Sequence, residues 1–541
     1  MKVLLISVAG CPRTPSDFIP DNGLALLAAL LISKGHQVRI IDYNTTKTLS
    51  RLFPEHIRTR LEKIARSLFQ GRAPGLFTLL NLSILEKRLT AYQRKIFAEI
   101  GSEVADRAEK EQIDFVGLKL WNGDGFTASL IVAGVLKKRN PKMPVFGGGS
   151  QVDIFRENIY RATSDFDALV YGEGEHAILG LADFVQGKKG LREIPNLIFR
   201  ENGRIVTTPQ ECVEDLNQLP FADYDPDVYP AMTKNGRLKF IVLDESRGCP
   251  FSCYFCIHPR KSGRPRAKSV ERIIAEIAHY QQKYGVSLFR YGGSNTPPKL
   301  LEEVARGIIQ NNLKINYTVL TDLRQEGIDF SLLKDSGCFA IFFGVESTDP
   351  VILTKAMNKK ASLERMENIL KEAKAAGIFI VVSLIVPAPG ETEETKKKTL
   401  EFLLRTKPDS VLVQFPGIIP GTEWAENPGE YGFSIKNKEA YPYAIMNYKM
   451  RLFFPPRFWD PLPYRVDGKK FRCFVRETEL FLKKAEAAGL ITGIADDVAL
   501  MSKYADLSPK EFRDLNRGYF FAGNALKLQE LIVKINGEKN Y

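Results

Sequence analysis

The sequence predicts an α/β protein in three parts: a Rossmann-like N-terminal domain, a central (β/α)6 partial TIM barrel and a helical C-terminal domain. Three observations predict this architecture. Short apolar runs alternate with helical patterns over residues 1–190, the alternation resumes as six units over 237–429, and helical patterns follow over 430–541. Residues 191–236 are rich in Pro and Asp and are expected to form a linker.

The first domain is predicted from apolar runs that have the length of buried parallel strands. Helical patterns separate them, and an inserted stretch of helical periodicity and many cations, 46–112, lies between the second and third strands. A solvated basic face is the favoured interpretation of this insert, ahead of nucleic-acid binding. The predicted strands are 3–7, 38–41, 115–120, 144–146 and 168–171, and the predicted helices are 23–34 and 127–138.

The barrel and the C-terminal domain follow from the same patterns. Each predicted barrel strand is followed by a turn or a helix, which predicts parallel strands with their carboxyl ends on one rim. The predicted barrel strands are 240–244, 288–291, 315–320, 339–343, 379–386 and 410–415, and the helices are 270–283, 298–311, 331–334, 362–376 and 393–406. Helices at 476–488 and 524–535 are the clearest in the C-terminal domain.

Composition limits the class of protein. The 541 residues are 44% hydrophobic and 26% charged, with a formal net charge of +12, which excludes disordered, collagen-like and disulfide-dense chains. The apolar runs are shorter than the ~18–20 residues that span a membrane. The seven cysteines are an odd number in a long chain, so we expect a reducing cytoplasm. The charge permits an acidic or nucleic-acid partner without requiring one.

Three of the cysteines lie within eight residues, directly after the first predicted barrel strand. The pattern is Cys249-x3-Cys253-x2-Cys256. Thiolates so spaced on one loop can bind three irons of a [4Fe–4S] cluster and leave the fourth iron open. A Cys3His zinc site completed by His258 is an alternative, although His258 lies only two residues beyond Cys256. Buried structural cysteines are the remaining alternative.

The triplet and its position resemble the signature of the radical S-adenosylmethionine (SAM) enzymes. Later segments fit that resemblance at successive strand ends: Gly292-Gly293, Gly344 to Ser347, and Pro387 to Thr392. The resemblance implies that the open iron binds SAM and that electron transfer yields a 5'-deoxyadenosyl radical. It implies that SAM is bound by Tyr254, Phe255, Gly292, Gly293, Ser294, Arg324, Gly344, Glu346, Ser383 and Pro387.

The first domain resembles the cobalamin-binding domain that is fused to many radical SAM enzymes. The similarity rests on glycines at strand ends, with Gly23, Gly147 to Gly149 and Gly172 to Gly174 in order. The stretch Asp42 to Thr46 lacks the histidine that ligates cobalt in some such domains, so no histidine ligand is expected. A degenerate domain that binds nothing is the alternative. The implied cobalamin-binding residues are Asn22, Gly23, Trp121, Asn122, Gly148, Gly149, Ser150, Gly172, Glu173 and Gly174.

Together the resemblances imply a cobalamin-dependent radical SAM enzyme, most often a C-methyltransferase acting on an unactivated carbon of a small molecule or of a natural-product or cofactor intermediate. A cyclase, oxidase or rearranging enzyme of the same architecture is the alternative. A methylthiotransferase is disfavoured because the first 190 residues hold Cys11 alone. A cobalamin or cluster sensor is the non-enzyme alternative. The implied partners are a small-molecule substrate and a reductant such as flavodoxin or ferredoxin, with no nucleic acid, for a monomeric protein.

Overall fold

The computed structural model describes residues 1–8, 10–69 and 75–537. Its first sheet has seven strands in the order β2-β1-β3-β4-β5-β6-β7, of which the first five are parallel and the last two antiparallel. The strands are β1 (Lys2–Ser7), β2 (Gln37–Asp42), β3 (Phe115–Lys119), β4 (Val145–Gly148), β5 (Ala168–Val170), β6 (Leu197–Glu201) and β7 (Arg204–Thr207). Residues 191–236, expected to be a linker, thus contribute two edge strands to this sheet.

Helices cover both faces of the first sheet and form the insert. Asp21 caps the first helix by accepting the Leu24 amide at 3.1 Å. Pro15–Ser33 is long and apolar enough to span a membrane, but half of it is buried inside the fold, as expected of a core helix. The helices are α1 (Asn22–Ser33), α2 (Thr46–Leu52), α3 (Glu55–Phe69), α4 (Leu76–Glu111), α5 (Gly123–Arg139), α6 (Ser150–Phe155) and α7 (Glu175–Val185).

The second sheet contains the six predicted parallel strands in the order β15-β14-β13-β12-β11-β8, with the first barrel strand at an open edge. Its strands are β8 (Phe240–Leu243), β11 (Leu288–Tyr291), β12 (Asn316–Asp322), β13 (Cys338–Glu346), β14 (Phe379–Ile385) and β15 (Ser410–Gln414). A two-stranded antiparallel ribbon, β9 (Ser246–Arg247) and β10 (Arg266–Ala267), encloses the cysteine loop. The helices are α8 (His258–Ser262), α9 (Val270–Tyr284), α10 (Pro298–Gln310), α11 (Phe330–Asp335), α12 (Leu363–Ala375) and α13 (Glu393–Thr406).

The C-terminal region combines helices with a small antiparallel sheet and packs on both other parts. Helix α18 packs against α3, α19 packs against α2, and α17 contacts three barrel strands. The rings of Phe18 and Phe520 stack at 6.2 Å. The elements are α14 (Glu423–Glu426), β16 (Phe433–Ile435), α15 (Tyr441–Met446), β17 (Tyr464–Val466), β18 (Lys469–Lys470), α16 (Phe471–Ala487), α17 (Asp496–Tyr504), α18 (Pro509–Ala522) and α19 (Ala525–Ile535).

Candidate active site

The cysteine loop lies at the carboxyl end of β8, between the two strands of the β9–β10 ribbon. Burial raises the pKa of Cys249, and it raises the pKa of Cys256 to about 11, with smaller contributions from the neighbouring thiols. The three side chains are partly exposed and form no disulfide. They therefore offer three free thiols on a single loop, the number that a cluster bound at three corners requires.

His258 lies beside the cysteine loop. Its Nδ1 lies 2.8 Å from Ser294 Oγ, so this ring nitrogen is engaged with the glycine-pair loop. In the described ranges, no group of three or more His, Cys, Asp or Glu side chains is arranged as the ligands of a single metal ion. Three thiolates spaced on one loop are a ligand set of [4Fe–4S] clusters, which needs no histidine.

Arg324 lies beside the cysteines and is already paired. Its guanidinium binds both oxygens of Asp322, at 2.7 and 2.9 Å, and donates to Cys253 Sγ at 3.3 Å. Lys359 Nζ binds the same carboxylate at 2.7 Å. Burial alone would raise the pKa of Asp322, but the hydrogen bonds from Arg324 and the charge of Lys359 hold it at about 2. The sequence predicted that Arg324 pairs with a carboxylate of SAM; in this structure Asp322 is its partner.

The side chain of Glu245 supports the glycine pair that follows β11. The fully buried Glu245 carboxylate accepts hydrogen bonds from the amides of Gly292 at 3.0 Å and Gly293 at 3.2 Å, and from the Thr296 hydroxyl at 2.6 Å. A methyl group at Gly293 would overlap the Glu245 carboxylate and the Ser246 hydroxyl. This position therefore requires glycine, and the turn has a conformation set by a side chain from the end of β8.

Three more predicted SAM residues meet at the ends of β13 and β14. Glu346 has a left-handed backbone (φ 65°) after a register shift in β13. Its carboxylate accepts the Ser383 hydroxyl at 3.1 Å, and burial raises its pKa. A methyl group at Gly344 would overlap that carboxylate and would lie 3.2 Å from Lys359 Nζ. The rim thus carries charged and hydroxyl groups that can bind the polar parts of a nucleoside.

The remaining predicted SAM residues lie on either side of this rim. The Tyr254 amide donates to the Met357 carbonyl at 3.0 Å, and the ring lies 5.0 Å from that of Tyr431. The Phe255 ring lies 5.6 Å from that of Trp424. Pro387 directly follows β14. The aromatic residues pack the cysteine loop onto the segment that follows β15, which shields the thiols from solvent.

A cleft opens at the carboxyl ends of β1, β3, β4 and β5. Six of the ten residues predicted to bind cobalamin line it: Asn22, Gly23, Gly148, Gly149, Gly172 and Gly174. Gly149 and Gly172 have left-handed φ values of 109° and 68°, which favour glycine. A rim of bare backbone leaves space for a bulky ligand, so this cleft fits a corrin nucleotide.

The other four predicted cobalamin residues have different surroundings. The Trp121 indole donates to Ser7 Oγ at 2.9 Å, and Ser150 begins α6. Asn122 lines a second cavity, described below. Glu173 is buried and binds Arg266 at 2.6 Å. The structure therefore assembles the glycine loops in one cleft and places these four side chains outside its lining.

An ion-pair network joins the cleft to the cysteine loop. Arg247, two residues before Cys249, binds Glu175 at 2.7 Å, Asp244 at 2.7 Å and Glu173 at 3.3 Å. Arg247 also lines the cleft. The first sheet and the barrel therefore meet at this side chain, and the two candidate cofactor sites share a wall.

A second cavity of about 1040 Å³ lies where all three parts of the chain meet. The first sheet contributes Asn122 to Asp124, the segment after β15 contributes 417–420, and the C-terminal region contributes most of the aromatic lining. The charged lining residues are Arg13, Asp124 and Lys449, and apolar side chains include Phe155, Phe415, Ile418, Met446, Trp459 and Leu462. We call this space the interdomain cavity.

Several functional candidates were not found from the sequence. Lys119 Nζ binds the buried Asp21 at 2.5 Å inside the cleft, and Glu245, Lys359 and Arg247 organise the rim of the barrel. Asp21 had a signal, because it precedes the Asn22-Gly23 motif at a helix start. Lys359 binds Asp322 across 37 positions, Glu245 binds Gly292 across 47 and Arg247 binds Glu175 across 72, and no local pattern connects these pairs.

Comparison with sequence families identifies two known domains in the chain. Residues 246–403 match the radical SAM superfamily, and residues 84–182 match the B12-binding domain. The first match covers the cysteine loop and the strand ends from β9 to β14. The second covers β3, β4 and β5, which form most of the glycine-lined cleft.

Curated relatives are moderately similar. An uncharacterized methyltransferase of Pyrococcus horikoshii is 28% identical over 326 residues, which cover 59% of this chain and 70% of the relative. An anaerobic magnesium-protoporphyrin IX monomethyl ester cyclase of Rubrivivax gelatinosus is 23% identical over 289 residues, 51% of each chain. Identity at this level leaves the substrate of the present chain open.

Solved structures share the whole architecture. The radical SAM methyltransferase TsrM of Kitasatospora setae, with cobalamin and a [4Fe–4S] cluster bound, has a TM-score of 0.66 at 16% identity, covering 97% of this chain and 99% of that one. The cobalamin-dependent radical SAM enzyme OxsB has a TM-score of 0.56 at 16% identity over 79% of this chain; the match spans 55% of the OxsB chain. Both likenesses establish the fold.

Proposed function

Because this chain combines a B12-binding domain with a radical SAM domain, whose cofactors are cobalamin, SAM and a [4Fe–4S] cluster, we propose that it methylates an unactivated carbon of a small molecule. The observation that carries the proposal is the shared wall at Arg247, which lines the glycine cleft and leads into the cysteine loop. Two cofactors bound on either side of that residue would act on one substrate.

The interdomain cavity is the proposed substrate site. It adjoins the edge of the first sheet through Asn122 and Asp124, and the barrel through the segment after β15. When bound, the cofactors supply a radical that removes hydrogen from carbon and a methyl group that replaces it. The apolar lining excludes water, which protects a radical from side reactions, while Arg13, Lys449 and Asp124 can orient polar ends of the substrate.

The proposed site residues divide the work. Cys249, Cys253 and Cys256 would hold the cluster, with Arg324 donating to the Cys253 sulfur. The glycine pair on Glu245 would bind the amino group of SAM. Reduction of the cluster requires an external one-electron donor, for which flavodoxin or ferredoxin is proposed. A monomeric enzyme in a reducing cytoplasm is part of the proposal.

A ring-forming or oxidative reaction is the second candidate, and the similarity to the cyclase of Rubrivivax gelatinosus favours it specifically. It would use the same cofactors and the same cavity. A methylthiotransferase is less well supported, because Cys11, the one cysteine of the first 190 residues, is buried and accepts a hydrogen bond from Gln93. A sensor is less well supported, because the barrel carries segments that resemble SAM contacts at successive strand ends.

The experiment is anaerobic reconstitution with iron, sulfide and hydroxocobalamin, followed by reduction with an external electron donor in the presence of SAM. We expect 5'-deoxyadenosine as a product, and a substrate from the same pathway should gain one methyl unit in mass. Cys253→Ala should abolish both while retaining bound-corrin absorbance; Cys473→Ala, at an exposed cysteine of α16, is the matched control. A loss of hydrogens in the substrate would identify the cyclase-type reaction, and no 5'-deoxyadenosine would exclude both.

A further inference from the structure

The end of α3 and the start of α4 expose large apolar side chains. Leu76 is 86% exposed, Phe77 77%, Leu80 58%, Phe69 49% and Ile84 43%. In α4 the first buried residue is Leu82, so the first turn and a half of the helix is largely exposed. Among the described residues, Leu79 packs against the core and the Phe69 ring lies 5.8 Å from that of Phe521. We call the five exposed residues the apolar tip. Contiguous exposed apolar surface of this kind marks an interaction site.

Unpaired cations lie behind the apolar tip on both helices. In the described part of the chain, Arg60, Lys63 and Arg66 of α3 and Lys87 and Arg88 of α4 make no ion pair, whereas Arg58 of α3 binds Glu55 and Glu62. At 1.5 Å per residue, Arg66 lies about 4.5 Å before Phe69 along the axis of α3. Lys87 lies about 17 Å beyond Leu76 along α4. The cations therefore lie farther from the end of the helix pair than the apolar residues do, measured along the axes of α3 and α4.

We propose that the apolar tip docks on an anionic lipid bilayer. Apolar side chains at the end of a helix pair would enter the interfacial region, and the cations behind them would meet phosphate headgroups. A protein partner would need a groove matched to five side chains, but it would leave the separation of apolar and cationic zones along the helix axes unexplained. A bilayer, whose headgroups surround its apolar interior, matches that order.

The interdomain cavity opens next to this surface. Arg451 binds Glu86 and Ser83 of α4, at 2.9 and 3.1 Å. The neighbouring Met450 lines the cavity and is 40% exposed. The cavity lining and the start of α4 are therefore joined through Met450 and Arg451, close to the apolar tip. Docking through the tip would place the cavity at the lipid surface, where amphiphilic molecules are concentrated.

The test is co-sedimentation of the reconstituted full chain with vesicles. Vesicles of phosphatidylcholine and phosphatidylglycerol in equal parts are compared with phosphatidylcholine alone, at low and high salt. We expect binding to the anionic vesicles that Leu76→Glu/Phe77→Glu weakens at least tenfold and that Arg66→Gln/Lys87→Gln makes less dependent on salt. Leu526→Glu, at a residue 72% exposed on α19, is the matched control and should bind as the parent does.

Two results would overturn the proposal. One is equal binding of the parent and the tip variant to anionic vesicles. The other is a parent protein that ignores vesicles but sediments as a dimer that the tip variant dissociates, because the occupant of the tip would then be a second copy of the chain. Corrin absorbance and circular dichroism of each variant confirm the fold. The readout is binding, so it is independent of whether the enzyme methylates, cyclises or lacks a known substrate.

Discussion

Replacing Glu245 with glutamine tests whether the glycine pair depends on the carboxylate beneath it. The carboxylate accepts four donors: the amides of Gly292 and Gly293 and the hydroxyls of Thr296 and Ser246. In Glu245→Gln one oxygen becomes an NH2 group, which faces a buried amide instead of accepting from it. Hydrogen bonds to a charged group contribute about 1.5–3 kcal/mol each, so a loss of about 2–3 kcal/mol in unfolding free energy is expected.

The same change should weaken SAM binding, because the glycine turn that would meet the amino group of SAM loses its support. We expect the Kd of SAM to rise at least tenfold, about 1.4 kcal/mol, with iron content unchanged. Glu276→Gln is the control: this buried carboxylate binds Lys268 at 2.6 Å and Tyr280 at 2.9 Å, and among the described residues it makes no hydrogen bond to the glycine pair. It should cost similar stability and leave SAM affinity intact. Equal SAM affinity in Glu245→Gln and the parent would refute the reasoning.

Three further variants test other parts of the structure. Burial raises the pKa of Glu391 to about 7. The stability that a raised carboxyl pKa contributes is present at low pH and is lost as the pH rises through that value, so the parent should lose about 3 kcal/mol of unfolding free energy between pH 4.5 and 8. Glu391→Gln should remove this dependence on pH. Lys119→Met leaves the Asp21 carboxylate buried without its cation, so it should lower the unfolding free energy by about 3 kcal/mol. The variant should also lose bound cobalamin on gel filtration; unchanged corrin absorbance would contradict a role of Lys119 in the cleft. Gly293→Ala should cost about 1–3 kcal/mol by overpacking and lower SAM affinity, whereas Gly518→Ala, in open space on α18, should be neutral or stabilising.

The parallel strands and the cysteine loop could be predicted because both leave local signals. Each parallel β-strand of the two sheets contains a short apolar run, and three thiols spaced x3 and x2 have few chemical uses. The stretch that holds β6 and β7 was predicted as short strands and turns of a linker; that these strands join the first sheet could not be predicted, because they are short and antiparallel and turn residues surround them. The family, fold and cofactors predicted from these motifs are confirmed, while the domain limits and the individual contact residues stay predictions.

The rest could not be predicted because it depends on contacts between distant residues. Arg247 meets Glu175 across 72 positions, and Lys359 meets Asp322 across 37. Nothing in the local pattern at Trp121 says that its indole turns toward Ser7 and away from the cleft. The guanidinium of Arg324 was expected to bind a carboxylate of SAM; in this structure it binds the carboxylate of Asp322, two residues earlier. Buried charged residues pair with residues that are distant in the sequence. The spacing of charged residues along the chain therefore identifies the residues but not the pairs that they form.

The packing of α18 on α3 and of α19 on α2 has a consequence for biosynthesis. The insert is translated more than 400 residues before the helices that cover it; the amide of Asn524, for example, binds Glu62 across 462 positions. The faces of α2 and α3 that α19 and α18 cover must remain uncovered while the barrel emerges from the ribosome. We therefore expect the nascent chain to need chaperone protection, and its first domain to reach a native state only after residues 509–535 have been released from the exit tunnel.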